Sequence, residues 1–209
     1  MRILSFFKPR YETARMLAYY QQAQYGHQDF YEKISIAIKP YVSGSTRALD
    51  VGCAMGRMVF EFAKLGVVEP YGIDRSKAFI ERANQIKNER GQTSVKFIQG
   101  DIFKYHFAHH SFDVVSCINV IDRVANPSLL VEKIFRLTKP RGVILLVDPY
   151  DWEFSPTPKK LHVSDMKDLL PPSQWSIEKE MRDIQFVMPI SPKQHRTYLC
   201  HLIIGRIRT

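Results

Sequence analysis

The residues with the clearest chemical meaning lie in two short segments, each at the end of an apolar run. The first is the small-residue turn 52–56, which follows Ala48-Leu49-Asp50-Val51 and precedes a helical pattern. The second ends at Asp74, close to the separation of about 20 residues that is typical of a nucleoside-binding crossover. Small residues let a ligand approach the backbone, and an acid accepts hydrogen bonds from ribose hydroxyls. These segments therefore predict a nucleoside cofactor site.

The composition of the turn indicates which nucleoside it would bind. A dinucleotide site needs a small residue at the third position of G-x-G-x-x-G, and Arg57, which stands there, is too large. The small residues are instead Gly52, Ala54 and Gly56. This D-x-G-x-A-x-G pattern resembles the first motif of class I S-adenosylmethionine (SAM) methyltransferases, with Ala54 at the usual middle glycine. The resemblance implies SAM as cofactor, with its carboxylate near the helix N-terminus.

The order of the predicted elements supports the same resemblance. Strands and helices alternate from Thr46 to Val147, which implies a parallel sheet with right-handed crossovers. The third to fifth strands are predicted within 95–101, 112–117 and 143–147, and two final strands at 184–189 and 198–204. We therefore expect an α/β, Rossmann-like class I methyltransferase fold. Its seven-stranded, mostly parallel sheet would end in an antiparallel C-terminal hairpin.

The chain of 209 residues fits one compact domain of this type. Residues 1–44 are aromatic-rich and helical in pattern, and they predict an N-terminal helical cap over the cleft. Residues 45–209 would form the SAM-binding domain. Simple helix packing explains most of the N-terminal tyrosines equally well.

Bulk properties narrow the classes of partner. No apolar run is long enough to span a bilayer, and the three cysteines suggest reduced, packed residues. We therefore expect a cytoplasmic protein without a membrane partner. The net charge of +9 makes nucleic acid a candidate partner, but basic residues are spread along the chain without interleaved aromatics, so an unspecialised basic surface is favoured. The sequence leaves the oligomeric state open.

The segment after the fourth strand carries a closer resemblance. Cys117-Ile118-Asn119-Val120-Ile121-Asp122-Arg123 is similar to the N-L-I-D-R-L pattern of the 4-mercaptohistidine N-methyltransferase domain of ovothiol biosynthesis. Matching segments are Tyr11-Glu12-Thr13, Tyr25-Gly26, Pro149-Tyr150-Asp151-Trp152, Thr157-Pro158 and His195-Arg196. Asp151 replaces a threonine of that family, and a stretch with tryptophan and glycine that usually follows is missing. Both departures lie in the region where the resemblance places the substrate.

This resemblance implies a small, amino-acid-like substrate and a set of site residues. Those expected to bind the cofactor are Asp50, Gly52, Cys53, Ala54, Gly56, Asp74, Arg75, Asp101, Ile102 and Asn119. Those expected at the reacting centre are Asn119, Asp122, Arg123 and Tyr150, with Tyr25, Trp152 and His195 as substrate contacts.

The expected chemistry is methyl transfer to an imidazole nitrogen, which needs alignment and exclusion of water more than a strong base. On this hypothesis Asp122 holds an ammonium or ring N–H, Arg123 a carboxylate, and Asn119 orients the ring. Tyr150 and Trp152 would wall the cleft. Asp122 as a helix N-terminal acid, Arg123 as its surface partner and Trp152 as a loop anchor remain open alternatives.

The remaining polar clusters suggest no metal site. His106, His109 and His110 lie in a polar loop without a matching cysteine or acid pair, which favours solvated side chains. Cys53 is most simply an apolar filler, and His195 is equally well explained as an exposed hairpin residue. A methyltransferase for RNA or protein, or a non-catalytic SAM-binding protein, are the alternative functions.

Overall fold

The computed structural model describes residues 13–26, 28–191 and 193–208. The predicted matches at Tyr11 and Glu12 lie outside these residues. The helices are α1 (Ala14–Tyr25), α2 (Gln28–Ile38), α3 (Arg57–Lys64), α4 (Lys77–Glu89) and α5 (Pro127–Leu137). The strands are β1 (Arg47–Val51), β2 (Glu69–Asp74), β3 (Lys96–Gln99), β4 (Phe112–Ile118), β5 (Thr138–Asp148), β6 (Trp175–Ser191) and β7 (Gln194–Ile207).

The strands form one seven-stranded sheet in the order β3-β2-β1-β4-β5-β7-β6. The first five pair in parallel, while β7 is antiparallel to both β5 and β6. The central strands are apolar on both faces because helices cover both sides, as parallel sheets require. The expected fold, a mostly parallel sheet with an antiparallel hairpin, is confirmed.

Local sequence explains where the crossover helices begin. Ser76 caps α4 by accepting the Phe79 N–H at 3.2 Å, and Asn126 caps α5 by accepting the Leu129 N–H at 3.2 Å. Pro127 stands at the first position of α5, where its missing N–H costs nothing. These caps place the preceding loops at the carboxyl edge of the sheet.

Two strands differ from their predicted bounds. β5 begins at Thr138 instead of Val143, because Thr138 already pairs with Phe112 of β4. A bulge follows this pair, and in it Arg141 has a φ of 62°. The final hairpin is also longer, since β6 and β7 pair as far as Ser191 and Gln194. The polar composition of 190–197 concealed this pairing, because backbone hydrogen bonds do not depend on apolar side chains.

The N-terminal helices share the core of the sheet. Phe30, Ile34 and Ile38 of α2 are buried in one cluster with Val143, Leu145 and Leu202 of the sheet. Helix α1 packs against β6. A division at residue 44 therefore stays a prediction, and the residues on either side of it share this core. None of the helices in the described part of the chain is long and apolar enough to cross a membrane.

Candidate functional site

The turn between β1 and α3 has an unusual backbone. Gly52, Ala54 and Gly56 adopt left-handed conformations, with φ values of 73°, 45° and 83°. The N–H groups of Gly52 and Cys53 both donate to the Ile73 carbonyl, at 2.8 and 3.1 Å. The turn is thus fixed against the end of β2. The glycines and the alanine at these left-handed positions keep large side chains out of the turn.

Asp74 closes this turn from the neighbouring strand. One carboxylate oxygen accepts the Ala54 N–H at 3.0 Å, and the other accepts the Ser76 N–H at 2.8 Å. Its side chain is half-buried, beside the left-handed turn. Arg75, the next residue, is exposed, and its carbonyl accepts the Gln99 side-chain amide at 3.1 Å. The structure therefore brings the predicted ribose acid to the predicted turn, with Arg75 at the surface.

Asp50 lies below the turn on β1. It is 3% exposed, and Ser116 donates to its carboxylate at 2.6 Å. Burial raises the pKa of Asp50 to about 7, the Asp74 charge adds to this, and the Ser116 hydroxyl opposes it. A buried acid with this pKa favours a cationic neighbour, because such a neighbour compensates the cost of ionisation.

Helix α1 contacts the same turn from above. The Tyr25 hydroxyl donates to the Met55 carbonyl at 2.8 Å, while the Gln24 side chain accepts the Met55 N–H at 3.2 Å. The Arg57 guanidinium lies 5.5 Å from the Tyr25 ring centre. Tyr25 thus supports the cofactor turn, and its predicted contact with substrate stays a prediction. Gln24 was not found from the sequence, since nothing in the pattern of α1 marks its partner.

Three other predicted cofactor residues take distinct places. Asp101 follows β3, is half-buried, and accepts the Phe103 N–H at 2.9 Å. Ile102 is 8% exposed and belongs to the core. Cys53 is buried against Gly72, where a side chain on Gly72 would come within 2.7 Å of its sulfur. Burial raises the pKa of the Cys53 thiol, which keeps it protonated and favours the apolar-filler interpretation.

Asn119 occupies the position just after β4. Its φ is 56°, and its N–H donates to the Val147 carbonyl at 2.7 Å. Its side-chain oxygen lies 3.6 Å from the Cys200 sulfur of β7. Asn tolerates the left-handed conformation better than most residues, which explains the residue type at a turn facing the carboxyl edge.

Four charged residues connect the segments after β4 and β5. The Asp122 carboxylate is fully buried, accepts the Asp151 N–H at 3.0 Å and pairs with the Arg123 Nε at 3.2 Å. Arg123 also pairs with the Asp151 carboxylate at 2.9 Å. The buried Asp148 accepts the Asp122 N–H at 3.4 Å. Asp151, which departs from the resembled family, is therefore the internal partner of Arg123.

Burial changes the protonation of this group. It raises the pKa of Asp122 to about 6, against the opposing effect of Arg123. Burial also raises the pKa of Asp148 above its ordinary value, and the Asp122 charge adds to the effect. Direct contacts of Asp122 and Arg123 with substrate stay predictions. Their present contacts favour a positioning role, because both side chains already join the two post-strand segments.

The remaining predicted residues lie around this group. Tyr150 adopts φ 56°, and its hydroxyl lies 2.6 Å from the His201 Nδ1. Trp152 donates its ring N–H to the Val163 carbonyl at 3.1 Å and stacks on His162 at 4.5 Å. These contacts favour the loop-anchor interpretation of Trp152. His195 is exposed on β7 opposite Pro189, and its substrate contact stays a prediction.

Sequence reasoning missed three residues of this region, Asp148, Cys200 and His201. Asp148 had a usable signal, since it is the acid that ends an apolar strand, as Asp74 does. Cys200 and His201 had none, because they lie within an apolar strand of the hairpin. By contrast, His106, His109 and His110 are exposed, and no potential metal-binding cluster in the described ranges includes them.

The donor set of the β1 and β2 ends fits SAM. The left-handed turn has no large side chain at Gly52, Ala54 or Gly56, Asp74 offers a carboxylate for ribose hydroxyls, and the buried Asp50 favours the cationic charge that SAM carries. Asp101 follows the next strand, β3, and its half-buried carboxylate could also accept hydrogen bonds from a nucleoside.

Known proteins with similar sequences are methyltransferases. The chain is 32% identical over 104 residues to the uncharacterized methyltransferase YcgJ of Bacillus subtilis, covering 50% of this chain and 41% of that protein. It is 29% identical over 135 residues to the sterol 24-C-methyltransferase ERG6A of Gibberella zeae, covering 59% of this chain and 35% of that protein. The chain thus spans about two fifths or less of these relatives.

Solved structures share the fold. The crystal structure of Bacillus subtilis YcgJ superposes with a TM-score of 0.66 at 17% identity, covering 87% of this chain and 99% of that one. A methyltransferase in complex with the Haloferax volcanii Trm112 activator gives a TM-score of 0.72 at 16% identity, covering 95% of this chain and 96% of that one. Residues 43–199 match the family described as "Methyltransferase domain". The chain therefore belongs to the SAM-dependent class I methyltransferase domains.

Proposed function

We propose that this chain transfers the methyl group of SAM to a small, amino-acid-like acceptor. The first candidate for the accepting atom is an imidazole nitrogen of 4-mercaptohistidine or a related thiohistidine. The observation that carries the proposal is the buried polar group Asp122–Arg123–Asp148–Asp151, at the carboxyl edge beside Asn119. Ligands of open α/β sheets bind at this edge.

The enclosure of the edge supports a small acceptor. Helix α1 packs against β6, and it contacts the cofactor turn through Tyr25. On the hairpin, Arg196 lies 3.6 Å from the Glu153 carboxylate of the post-β5 segment. The N-terminal helix and the hairpin therefore both approach the edge, which suits a small molecule better than a polymer.

The polarity of the edge supports an amino-acid-like acceptor. Asn119 carries an amide at the end of β4, a group that recognises ammonium and ring N–H groups. The buried carboxyl groups of Asp122 and Asp148 lie in the adjoining segments and would favour a cationic acceptor. The resemblance of residues 117–123 to the 4-mercaptohistidine enzymes points the same way. SAM supplies an electrophilic methyl group when bound. The chain's own residues would orient the acceptor and exclude water.

The test is methyl transfer from radiolabelled SAM to a defined panel. The panel contains 4-mercaptohistidine, histidine, a sterol, total RNA and a protein extract. We expect label in 4-mercaptohistidine, at the ring nitrogen when the product is analysed by NMR. Label in histidine alone would keep the small-molecule class and correct the acceptor. Label only in the sterol, RNA or protein arm would refute the proposal.

A further inference from the structure

A buried histidine lies next to the proposed acceptor site. His201 of β7 is 3% exposed and stands opposite Asp148 of β5 in the sheet register. Its Nε2 is 2.9 Å from a Glu180 carboxylate oxygen, and its Nδ1 is 2.6 Å from the Tyr150 hydroxyl. The imidazole therefore connects the outer strand β6 to the segment that follows β5.

The contacts define where the protons are. The Glu180 carboxylate only accepts, so the His201 Nε2 carries the hydrogen and donates it. The Nδ1 is then the acceptor, and the Tyr150 hydroxyl donates to it. The Tyr150 oxygen in turn accepts the Met166 N–H at 2.9 Å. Each donor in the hydrogen-bond chain from Met166 through Tyr150 and His201 to Glu180 has an acceptor only when His201 is neutral.

Tyr150 needs this anchor because its backbone is unfavourable. A φ of 56° strains the backbone of a bulky residue, and neighbouring contacts must offset this strain. In this conformation the Tyr150 N–H donates to the Asp148 carboxylate at 2.9 Å, and the following Asp151 N–H donates to Asp122. The ring of Tyr150 thus fixes the turn that supports the buried carboxylates.

We propose that His201 is a positioning residue of the methyltransferase, which holds the 148–151 turn through the Tyr150 hydroxyl. The assignment rests on the proposed function only in placing this turn beside the acceptor. His201 touches neither cofactor nor acceptor in this account. Its effect is to keep Asp148, Asp122 and Asp151 in one arrangement at the edge.

The same histidine also belongs to a cluster with metal-ligand chemistry. One ligand atom each from Asp165, Glu180 and His201 lie within 4.8 Å of one another. Arg182 pairs with Asp165 at 2.7 Å and with Glu180 at 2.9 Å, and Lys167 pairs with both acids. The positive charges of Arg182 and Lys167 already balance the negative charges of Asp165 and Glu180. The His201 Nδ1 already accepts a hydrogen bond from the Tyr150 hydroxyl. The contacts therefore favour a hydrogen-bonded support over a cation site.

Protonation of His201 would disturb the support. The new hydrogen would sit on Nδ1 and face the Tyr150 O–H, so the tyrosine could no longer donate there. Burial lowers the pKa of His201, and the Arg182 charge adds to this, while the Glu180 bond and the Asp165 charge oppose it. The groups facing the ring are Glu180 and Arg182 of β6, Asp165 and Lys167 of the preceding segment, and Asp148 and Tyr150 at the end of β5.

The test compares two substitutions of one residue. In His201→Asn the amide oxygen replaces Nδ1 and can still accept from Tyr150, but it does not titrate. In His201→Leu the acceptor is lost. We expect hydrogen exchange at the Tyr150 and Asp151 amides to rise about tenfold in His201→Leu, the loss of roughly one hydrogen bond, and to stay near the wild-type rate in His201→Asn.

The pH dependence separates positioning from simple packing. After correction for intrinsic exchange, protection of these two amides in the wild type should fall as the pH is lowered below about 6.5, the ordinary histidine pKa, because burial lowers the pKa of His201. The fall should be smaller in His201→Asn, because the histidine contribution is then missing; the part that remains comes from Asp148 and Asp122, whose carboxylates accept these two N–H groups and have raised pKa values. Tyr150→Phe, which keeps the ring, should reproduce the His201→Leu exchange rates at neutral pH. Calorimetry should give the same SAM affinity for all variants.

The hydrogen-exchange results test the role of His201 separately from the methyl-transfer panel, which tests the proposed function. Unchanged exchange in both His201→Leu and Tyr150→Phe would overturn the positioning role, whichever acceptor is methylated. Increased exchange with no labelled small molecule would refute the proposed function and keep the positioning role. With an active acceptor, we expect His201→Leu to raise its KM more than it lowers kcat, and His201→Asn to restore it.

Discussion

The Asp74 carboxylate accepts a hydrogen bond from the Ala54 N–H at 3.0 Å, so the acid at the end of β2 holds the turn at the end of β1. Its second oxygen accepts the N–H of Ser76, the residue that caps α4. One side chain therefore organises two of the segments that surround the cofactor site. Its role extends beyond the ribose contact expected of a strand-end acid.

We expect Asp74→Ala to lower SAM affinity by at least about 100-fold, because hydrogen bonds to a charged carboxylate are worth about 1.5–3 kcal/mol and more than one is lost. Isothermal titration calorimetry measures this directly. Asp168→Ala is the matched control, since Asp168 is an exposed acid away from the turn. Unchanged affinity in Asp74→Ala would remove Asp74 from the cofactor site.

Gly52 tests the shape of the turn. At φ 73° an added side chain costs about 1–2 kcal/mol, and the new Cβ would overlap a methyl group of Val120. Gly52→Ala should therefore lower both the free energy of unfolding and SAM affinity. Val120→Ala in the same chain should recover part of the loss, because it removes the overlap and leaves the backbone strain.

A double-mutant cycle in urea measures this coupling. We expect a favourable interaction energy between the two substitutions of about 0.5–3 kcal/mol, the range for residues in contact. Simple additivity would contradict the close approach of the turn to the segment after β4.

The sheet was predictable from the sequence because strand-end residues and apolar runs alternate at regular intervals. Gly52, Asp74 and Asp101 mark the ends of three strands, and the rule that ligands bind at that edge brings them together. The bulge at Arg141 was not predictable, since pairing continues there without an apolar pattern.

The contact between His201 and Tyr150, which supports the proposed acceptor site, could not be predicted from the sequence. His201 and Tyr150 are 51 residues apart, and neither position has a neighbour in sequence that indicates the contact. Asp122 and Arg123 were identified, but their partner Asp151 was seen only as a departure from a family pattern. Side-chain partners between loops depend on three-dimensional placement, which periodicity does not encode.

Arg123 tests the charged group at the acceptor edge. Arg123→Ala leaves the buried Asp122 carboxylate without its cation, and we expect a loss of stability of about 2–3 kcal/mol, below the full cost for a buried pair because Arg123 is partly exposed. Turnover should fall while SAM affinity is retained. Arg123→Lys should recover less than half of the loss, because an ammonium lacks the planar fork with which Arg123 contacts the two carboxylates through different nitrogens. Full turnover in Arg123→Ala would exclude it from the acceptor site.

Asp122 also predicts a pH dependence of stability. Its folded-state pKa of about 6 lies above the ordinary value near 3.9 for an unfolded chain. The folded state thus binds the proton more tightly, and this contribution is lost as the pH rises from about 4 through 6. Urea unfolding across this range should show a smaller decline in Asp122→Asn than in the wild type. An identical decline in both would contradict the raised pKa.

Asp50 predicts that SAM binding releases protons. With a pKa of about 7 it is half protonated at pH 7, and the positive charge of bound SAM should lower that pKa. We expect release of up to about 0.5 proton per SAM at pH 7, falling towards zero above about pH 8.5, where Asp50 is already ionised. Calorimetric titrations in two buffers of different ionisation enthalpy measure the release. Asp50→Asn should abolish it and Asp168→Asn should not, so release that persists in Asp50→Asn would place its source elsewhere.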